Sequence, residues 1–414
     1  MNHFTLRRGE LHAEGVPLSA IADGVGTPTY VYSTATITRH VRVMREAFGT
    51  TPHHICYSVK ANSNLALLAL LHREGCGFDI VSGGELERVR KATRTTKCVV
   101  FAGVGKTEAE MAAALKARIL LFNVESEEEL WALDRVATQL GVKAPFALRV
   151  NPDVDARTHK YISTGLKTSK FGVPFDEAVR LYKLAAKKKG LWARGVDCHI
   201  GSQLTDAAPV REALLKVAGL YRDLRSAGHP LELLDVGGGL GISYTDENPP
   251  SPADYAKVVA EATRDTGATI ILEPGRVVVG NAGVLLTRVL YRKRTPHKTF
   301  VMVDAGMNDL LRPALYEAHH VLQPVRARRG GKPERVDVVG PVCESTDVLA
   351  RDRELVLPKQ GDLYAVMSAG AYGMSMASTY NARPRPAEVL VDGDAFRVIR
   401  EREPVSDLWR GERI

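Results

Sequence analysis

Lys60 follows the apolar run Ile55-Cys56-Tyr57-Ser58-Val59, so its stem is expected to be partly buried. Desolvation lowers a lysine's pKa and makes the amine a nucleophile toward carbonyl groups. Read singly, the same residue is also satisfied as a surface lysine with a snorkelling stem. The run Gly237-Gly238-Gly239 permits positive φ and exposes backbone N–H groups, a nest suited to phosphate, or else it is a tight strand-to-helix turn. His199 is a candidate to lie against a flat ring, or a satisfied core histidine. Glu273, between Leu272 and Pro274, is an acid at the end of an apolar run, which surface solvation explains poorly. Together a reactive lysine, a phosphate cradle and an acid fit one cofactor, pyridoxal 5′-phosphate. The lysine forms the Schiff base, the glycine turn holds the phosphate, and the ionised acid keeps the pyridine nitrogen protonated.

Such a set needs a scaffold that collects it. Short β-branched runs alternate with helical patterns at Ile55–Val59, Gly77–Val81, Cys98–Ala102, Ile119–Phe122, Phe146–Val150, Gly195–Ile200, Leu233–Val236 and Thr269–Leu272. Strands alternating with helices imply parallel pairing, and eight units over about 220 residues fit an α/β (β/α)8 TIM-type barrel. A doubly wound sheet is the alternative, and the count of eight weighs against it. In such barrels the chemistry sits at the C-terminal strand ends. Those ends carry Lys60-Ala61-Asn62, Asp79 with Ser82-Gly83-Gly84-Glu85, Arg149-Val150-Asn151, His199-Ile200-Gly201-Ser202-Gln203, the glycine run and Glu273-Pro274-Gly275-Arg276. One helix, Glu127 to Leu140, opens with a Ser126/Glu129 capping box, and the acids Glu125 to Glu129 are expected only to complement its dipole.

After Gly275 the pattern turns to strands: Val277–Val279, Gly283–Val289, Phe300–Val303, Val336–Val339, Leu363–Met367, Glu388–Val391 and Ala395–Ile399. The basic stretch Val325–Lys332, with Arg326, Arg328 and Arg329, reads as a solvated hairpin loop. Tyr30-Val31-Tyr32 is a further strand that joins this region. The expected organisation is a barrel over 33–278 and a C-terminal all-β domain built from 1–32 and 279–414.

A hydrophobic content of 45% and a charged content of 25% exclude a mainly disordered chain. The net charge of +8 would suit nucleic acid, an anionic membrane or an acidic substrate, but no basic-aromatic motif accompanies it. The start, Met1 to Pro17, has no apolar run after Arg7 and Arg8, and Leu65–Leu71 is far short of the ~20 residues of a membrane span. No nucleic-acid or membrane partner is expected, and the cytoplasm is the default compartment. Five cysteines without CxxC spacing argue against a disulfide framework or structural zinc, and no metal is expected. Cys56, Cys76, Cys98 and Cys198 lie in or beside apolar runs as small buried hydrophobes, whereas Cys343 does not. The pairs His53-His54 and His319-His320 read as surface or packing histidines. Gly105-Lys106-Thr107 imitates the tail of a phosphate-binding loop without its first glycine.

The chain resembles the alanine-racemase-like, barrel-type pyridoxal phosphate decarboxylases, and within them the diaminopimelate decarboxylase family. The resemblance is carried by Tyr57-Ser58-Val59-Lys60-Ala61-Asn62, Phe78-Asp79-Ile80-Val81-Ser82-Gly83-Gly84-Glu85, His199-Ile200-Gly201-Ser202-Gln203 and Gly237-Gly238-Gly239-Leu240-Gly241. It continues through Glu273-Pro274-Gly275-Arg276, Arg312-Pro313-Ala314-Leu315-Tyr316, Gly340-Pro341-Val342-Cys343-Glu344-Ser345 and Gly370-Ala371-Tyr372-Gly373-Met374. It implies decarboxylation of meso-2,6-diaminopimelate to L-lysine and carbon dioxide, the last step of lysine biosynthesis. Lys60 would carry the cofactor and His199 would stack on its ring. Asp79 and Glu273 would complete the ring's surroundings, and Ser202, Gly238, Gly239, Gly275, Arg276 and Tyr372 would hold its phosphate. Arg276, Arg312, Tyr316, Glu344 and Tyr372 would bind the amino-acid substrate, and Cys343 would be the proton donor. The resemblance also implies a homodimer in which Cys343 and Glu344 enter the site of a second copy. Two segments depart from the family pattern: Thr158-His159-Lys160-Tyr161 has lysine where proline is common, and Thr346 stands where glycine is more usual.

Three other readings compete. An ornithine- or arginine-type decarboxylase on the same fold would leave Arg312 and Tyr316 without a task. A racemase would need an arginine in place of Glu273. A non-catalytic pyridoxal phosphate carrier protein would leave the β-domain with Cys343 and Glu344 superfluous.

Overall fold

The computed structural model describes residues 2–154, 170–327 and 330–414. The variant segment Thr158–Tyr161 and the arginines Arg328 and Arg329 lie outside the described residues. The chain divides into two compact units, one of Met1–Arg39, Ser243–Glu247 and Val278–Ile414, the other of His40–Ile242 and Asn248–Val277.

The second of these is a closed barrel of eight parallel strands. They are β1 (His53–Ser58), β2 (Gly77–Ile80), β3 (Val99–Phe101), β4 (Leu121–Val124), β5 (Ala144–Arg149), β6 (Leu191–Asp197), β7 (Leu233–Asp235) and β8 (Thr269–Leu272), with β8 pairing back onto β1. Each corresponds to one of the eight runs expected from sequence, with ends shifted by a few residues. Helices follow the strands: α1 (Leu65–Arg73), α2 (Gly83–Thr93), α3 (Glu108–Lys116), α4 (Glu127–Gln139), α5 (Phe175–Ala185), α6 (Ala208–Ser226) and α7 (Pro252–Thr263). Their starts are written in the sequence. Ser82, Ser126 and Thr107 each accept the N3 backbone N–H through the side chain.

Side chains two apart on a strand share a face, and this arithmetic layers the barrel interior. Cys56, Leu121, Ala147, Leu233 and Ile271 form an apolar floor with Val100. Two residues further along the same faces stand Ser58, Asn123, Arg149, Asp235 and Glu273, with Asp79 and Asp197 on the remaining strands, all buried. An apolar layer therefore carries a polar layer toward the C-terminal strand ends.

The other unit centres on a sheet whose order is Val348–Val356, Pro333–Val339, Thr299–Val303, Gly283–Arg294, Thr29–Ser33, Ala387–Asp392 and Ala395–Arg400. The strand from Tyr30-Val31-Tyr32 sits inside it, parallel to Ala387–Asp392 and antiparallel to Gly283–Arg294. Leu11, Ile21, Val31, Val284, Leu286, Val389 and Val391 make its core.

Two expectations are corrected here. Val277–Val279 belongs to a short helix, Arg276–Val279, although a valine run favours strand. The strands flanking Val325–Lys332 do not pair with each other, so that stretch is no hairpin: Leu322–Pro324 pairs with Leu363–Val366, and Pro333–Val339 with Thr299–Val303 and Val348–Val356. Arg326 lies 3.5 Å from the Glu10 carboxylate.

Candidate active site

Lys60 sits on the one-turn segment Val59–Ala61 directly after β1. Its Nζ is 2.6 Å from Asp79 Oδ2, and Ser58 Oγ donates to the same oxygen at 2.9 Å. The side chain is partly buried, with 36% exposure, and its amine faces a buried carboxylate rather than open solvent. The ion pair aims the amine rather than neutralising it. Close by, burial pushes Glu85 up to about 7.

His199, after β6, accepts the Gly238 N–H at Nδ1 at 3.1 Å, while Arg149 Nη2 donates to its backbone oxygen at 3.3 Å. Burial, then Arg149 and Lys60, holds the imidazole well below the usual histidine range. The ring is therefore neutral with its proton on Nε2, and its 4.0 Å approach to Glu273 is not an ion pair. Gly237 and Gly239 have positive φ, +67° and +105°. A Cβ at Gly238 would lie 2.1 Å from the Glu273 carbonyl oxygen, so only glycine allows this turn to pack on the end of β8.

Glu273 is buried with Asp235, Asp197 and Asp79 around it, and burial followed by those three charges pushes its pKa well up. Burial likewise raises Asp197, and lifts Asp235 to about 6. Asn123 Nδ2 bridges Asp235 Oδ2 at 2.9 Å and Glu273 Oε1 at 3.4 Å. Oxygens of Asp197, Asp235 and Glu273 lie within 4.8 Å of one another, close enough for their titrations to be coupled or to suit a divalent cation. Arg149 and Lys60 bring positive charge to these groups and partly oppose the rise, Arg149 at Asp197 and Lys60 at Glu273.

Arg149 is fixed by Glu125, with Nη1 at 3.2 Å and 3.3 Å from its two carboxylate oxygens, and stacks over Phe171. Lys106 is buried against Glu129 at 2.7 Å and donates to the Asn123 carbonyl at 2.6 Å. The acids Glu125 and Glu129 are thus not surface charges tuning a helix dipole. They are buried ion-pair partners at the C-terminal edge of the polar layer, and Glu129 accepts the Glu125 N–H instead of closing the expected capping box. The loop imitating a phosphate binder resolves too: Lys106 is this strut and Thr107 caps α3.

At the end of β8, buried Gly275 leads into the helix Arg276–Val279, and Arg276 Nη2 donates to Ser202 Oγ at 3.1 Å. Loops after strands seven and eight with the start of a short extra helix are the usual phosphate position in these barrels. The residues present fit pyridoxal phosphate. The layer has four buried carboxyls against Lys60 and Arg149, and Oδ1 of Asp79, Asp197 and Asn123 have no hydrogen-bond partner. A protonated pyridine nitrogen would supply the missing positive charge beside Glu273.

The remaining expected residues lie in the other unit. Arg312 is buried, stacks on the Tyr244 ring at 4.6 Å and bonds His320 Nε2 at 2.9 Å; His320 Nδ1 contacts the Met367 carbonyl at 2.8 Å. This corrects the reading of His320 as an ordinary packing histidine, since it aims Arg312. Tyr316 closes the short helix Arg312–Tyr316. Cys343 and Glu344 occupy an exposed turn braced by Asp347, whose carboxylate accepts the Val342 and Met307 N–H groups at 2.7 Å, and by Asn381, which accepts the Cys343 N–H at 2.7 Å. Thr346 is not in the positive-φ region, so glycine is not needed there. Tyr372 has φ +55°, a costly conformation for a non-glycine residue.

Fold and barrel chemistry define a pyridoxal-dependent decarboxylase: residues 34–280 match the family described as pyridoxal-dependent decarboxylase, pyridoxal binding domain. The chain is 55% identical to a diaminopimelate decarboxylase of Pseudomonas aeruginosa and 53% identical to one of Vibrio cholerae, each over 100% of this chain and 99% of the relative. The crystal structure of diaminopimelate decarboxylase from Helicobacter pylori complexed with L-lysine superposes with a TM-score of 0.92 at 45% identity, covering 95% of this chain and 98% of that one. The chain belongs to the diaminopimelate decarboxylase family.

Sequence reading missed Asn123, Asp197, Glu125 and Lys106 as parts of this centre. The signal was available for the first two, which are polar residues on the inward period-two face of apolar strands.

Proposed function

We propose that this chain decarboxylates meso-2,6-diaminopimelate to L-lysine and carbon dioxide with pyridoxal phosphate as cofactor, in the cytoplasm, where its five free thiols are at home. The observation that carries the reading is the buried carboxyl layer with Lys60 at its mouth, which matches the charge of a protonated pyridine ring. When bound, the cofactor supplies an electron sink for the carbanion left by carbon dioxide. Lys60, oriented by Asp79, is the amine that attaches the cofactor and releases product. Glu273 keeps the ring nitrogen protonated, and neutral His199 offers an uncharged face to the ring. Ser202, Gly238, Gly239, Gly275, Arg276 and Tyr372 bind the phosphate.

Specificity belongs to the far end of the substrate, because every amino acid shares the near end. Arg276, Arg312, Tyr316 and Tyr372 take the distal carboxylate, and Glu344 the distal ammonium. Cys343 returns the proton to the α-carbon, with Cys343 and Glu344 entering the site of a second copy in a homodimer. No helix among the described residues is long and apolar enough to cross a membrane.

Carbon dioxide release from meso-diaminopimelate, ornithine and arginine offered side by side tests the substrate. Diaminopimelate should dominate; preference for either of the others would reassign the enzyme, and no turnover of any would favour the carrier reading. Cys343→Ala should slow turnover by about 10²-fold while the yellow cofactor stays bound. Near-normal turnover removes Cys343 as proton donor.

A further inference from the structure

Arg312 opens the short helix Arg312–Tyr316, with Pro313 fixing the backbone of its first turn. The helix ends on Glu317, held at φ +52°, and the Ala318 N–H donates to the Arg312 carbonyl at 3.3 Å. This tight reversal brings His320 back onto the guanidinium that the chain has just passed. The donors and acceptors there admit one arrangement. A carbonyl only accepts, so His320 Nδ1 carries the ring proton and donates to Met367 O at 2.8 Å. Nε2 then presents a lone pair, which accepts from Arg312 Nη1 at 2.9 Å. Met367 in turn donates its N–H to the Val321 carbonyl at 2.8 Å, beside the pairing of Leu322–Pro324 with Leu363–Val366. The buried imidazole thus ties Arg312 to the sheet.

Tyr244 holds the same guanidinium from another side. It lies in Ser243–Glu247, which belongs to this unit although it follows β7 in the chain. The N–H groups of Tyr244 and Thr245 donate to Glu247 Oε2 at 2.9 Å and 2.6 Å, closing the turn that carries the ring. That ring is buried, with the Arg312 Cζ 4.6 Å from its centroid. Its plane stands at 79° to the His320 ring, with 5.4 Å between centroids. One face of the planar guanidinium is covered and one N–H is taken, which sets the direction from which it can receive a planar carboxylate.

Building on the assignment of the substrate's distal carboxylate to Arg312, we propose that His320 and Tyr244 are positioning residues that set the affinity for that carboxylate. An unrestrained arginine gives up rotamer freedom each time it binds, whereas a clamped one has given it up on folding. The clamp acts on substrate and product alike and not on the bond that breaks at the other end, so it enters KM rather than kcat. Lysine keeps the distal carboxylate after carbon dioxide has left and therefore feels the clamp. Pentane-1,5-diamine, the same chain without a carboxylate, does not.

The test uses the cofactor-loaded enzyme and measures KM and kcat for meso-diaminopimelate, with the competitive inhibition constants of lysine and pentane-1,5-diamine. In His320→Leu, KM and the lysine constant should rise together by about tenfold or more, the scale of one hydrogen bond to a charged group. The kcat and the diamine constant should stay within about threefold of the parent. His320→Gln, whose amide oxygen can stand in for Nε2, should recover most of the loss. Tyr244→Leu should raise the same two constants by about fivefold. His319→Gln is the control and should move neither constant, because His319 Nδ1 contacts Arg353 at 3.3 Å instead. An unchanged KM in His320→Leu, a diamine constant that weakens as much as that of lysine, or a glutamine variant no better than leucine overturns the positioning role. Lysine binding left intact by Arg312→Ala overturns the assignment of Arg312 itself, and the clamp with it.

Discussion

Lys60→Ala loses turnover on the order of 10⁴-fold or more, because the variant has no amine to attach the cofactor or release product. Lys60→Arg is the sharper companion. A guanidinium keeps a positive charge beside Asp79, 2.6 Å from the present amine, but stays protonated and cannot attack a carbonyl. It should therefore keep the stability of the parent and share the inactivity of the alanine variant. Borohydride treatment of the parent should fix the pyridoxal label on the Lys60 peptide. Label on any other lysine sinks the assignment.

Glu273→Gln is expected to lower turnover on the order of 10³-fold, the scale of losing a preorganised charge in a buried site. It should also make the cofactor-free protein less sensitive to pH. Glu273 and Asp235 are carboxyls whose folded values are raised, chiefly by burial. Such groups contribute stability at low pH that is lost as pH rises through the folded value. For Asp235 the loss runs from about 4, the ordinary carboxylate value, to about 6, and for Glu273 it continues higher. Glutamine cannot ionise, so the melting temperature of cofactor-free Glu273→Gln should fall less between about pH 5 and about pH 8 than that of the parent. Equal pH slopes would mean that the carboxyl layer stores no such strain.

Most of the barrel could be read before the structure, because each strand is a short apolar run ended by turn residues and local composition suffices to find it. Where tertiary packing overrides propensity, local reading fails. Three consecutive valines at 277–279 are helical after Pro274-Gly275, and the strands Leu322–Pro324 and Val348–Val356 escaped notice because their buried faces are short or interrupted by charge. Lys60, His199 and Glu273 stood out because each ends an apolar run. Glu125, Glu129 and Lys106 did not, since an acid-rich stretch ahead of a helix looks identical whether it faces water or a buried cation. Burial of Arg149 and Lys106 decides the matter, and no spacing rule announces it.

The layering of the barrel also bears on how this enzyme could be re-engineered. Asp79, Asn123, Arg149, Asp197 and Asp235 are anchored in strands, whereas Ser202, Gly239 and Arg276 belong to the connections that follow. Most of the carboxyl layer is thus wired into the hydrogen-bonded frame, and Glu273, the first residue after β8, is held to the glycine turn by its N–H on the Gly237 carbonyl at 2.8 Å. Grafting loops from a decarboxylase of different taste should carry substrate preference with them and leave the electrostatics of the cofactor intact, provided Glu273 and the Gly237–Gly239 turn stay in place. By contrast, inserting one residue into any of those strands would turn its buried polar side chain outward against the helices.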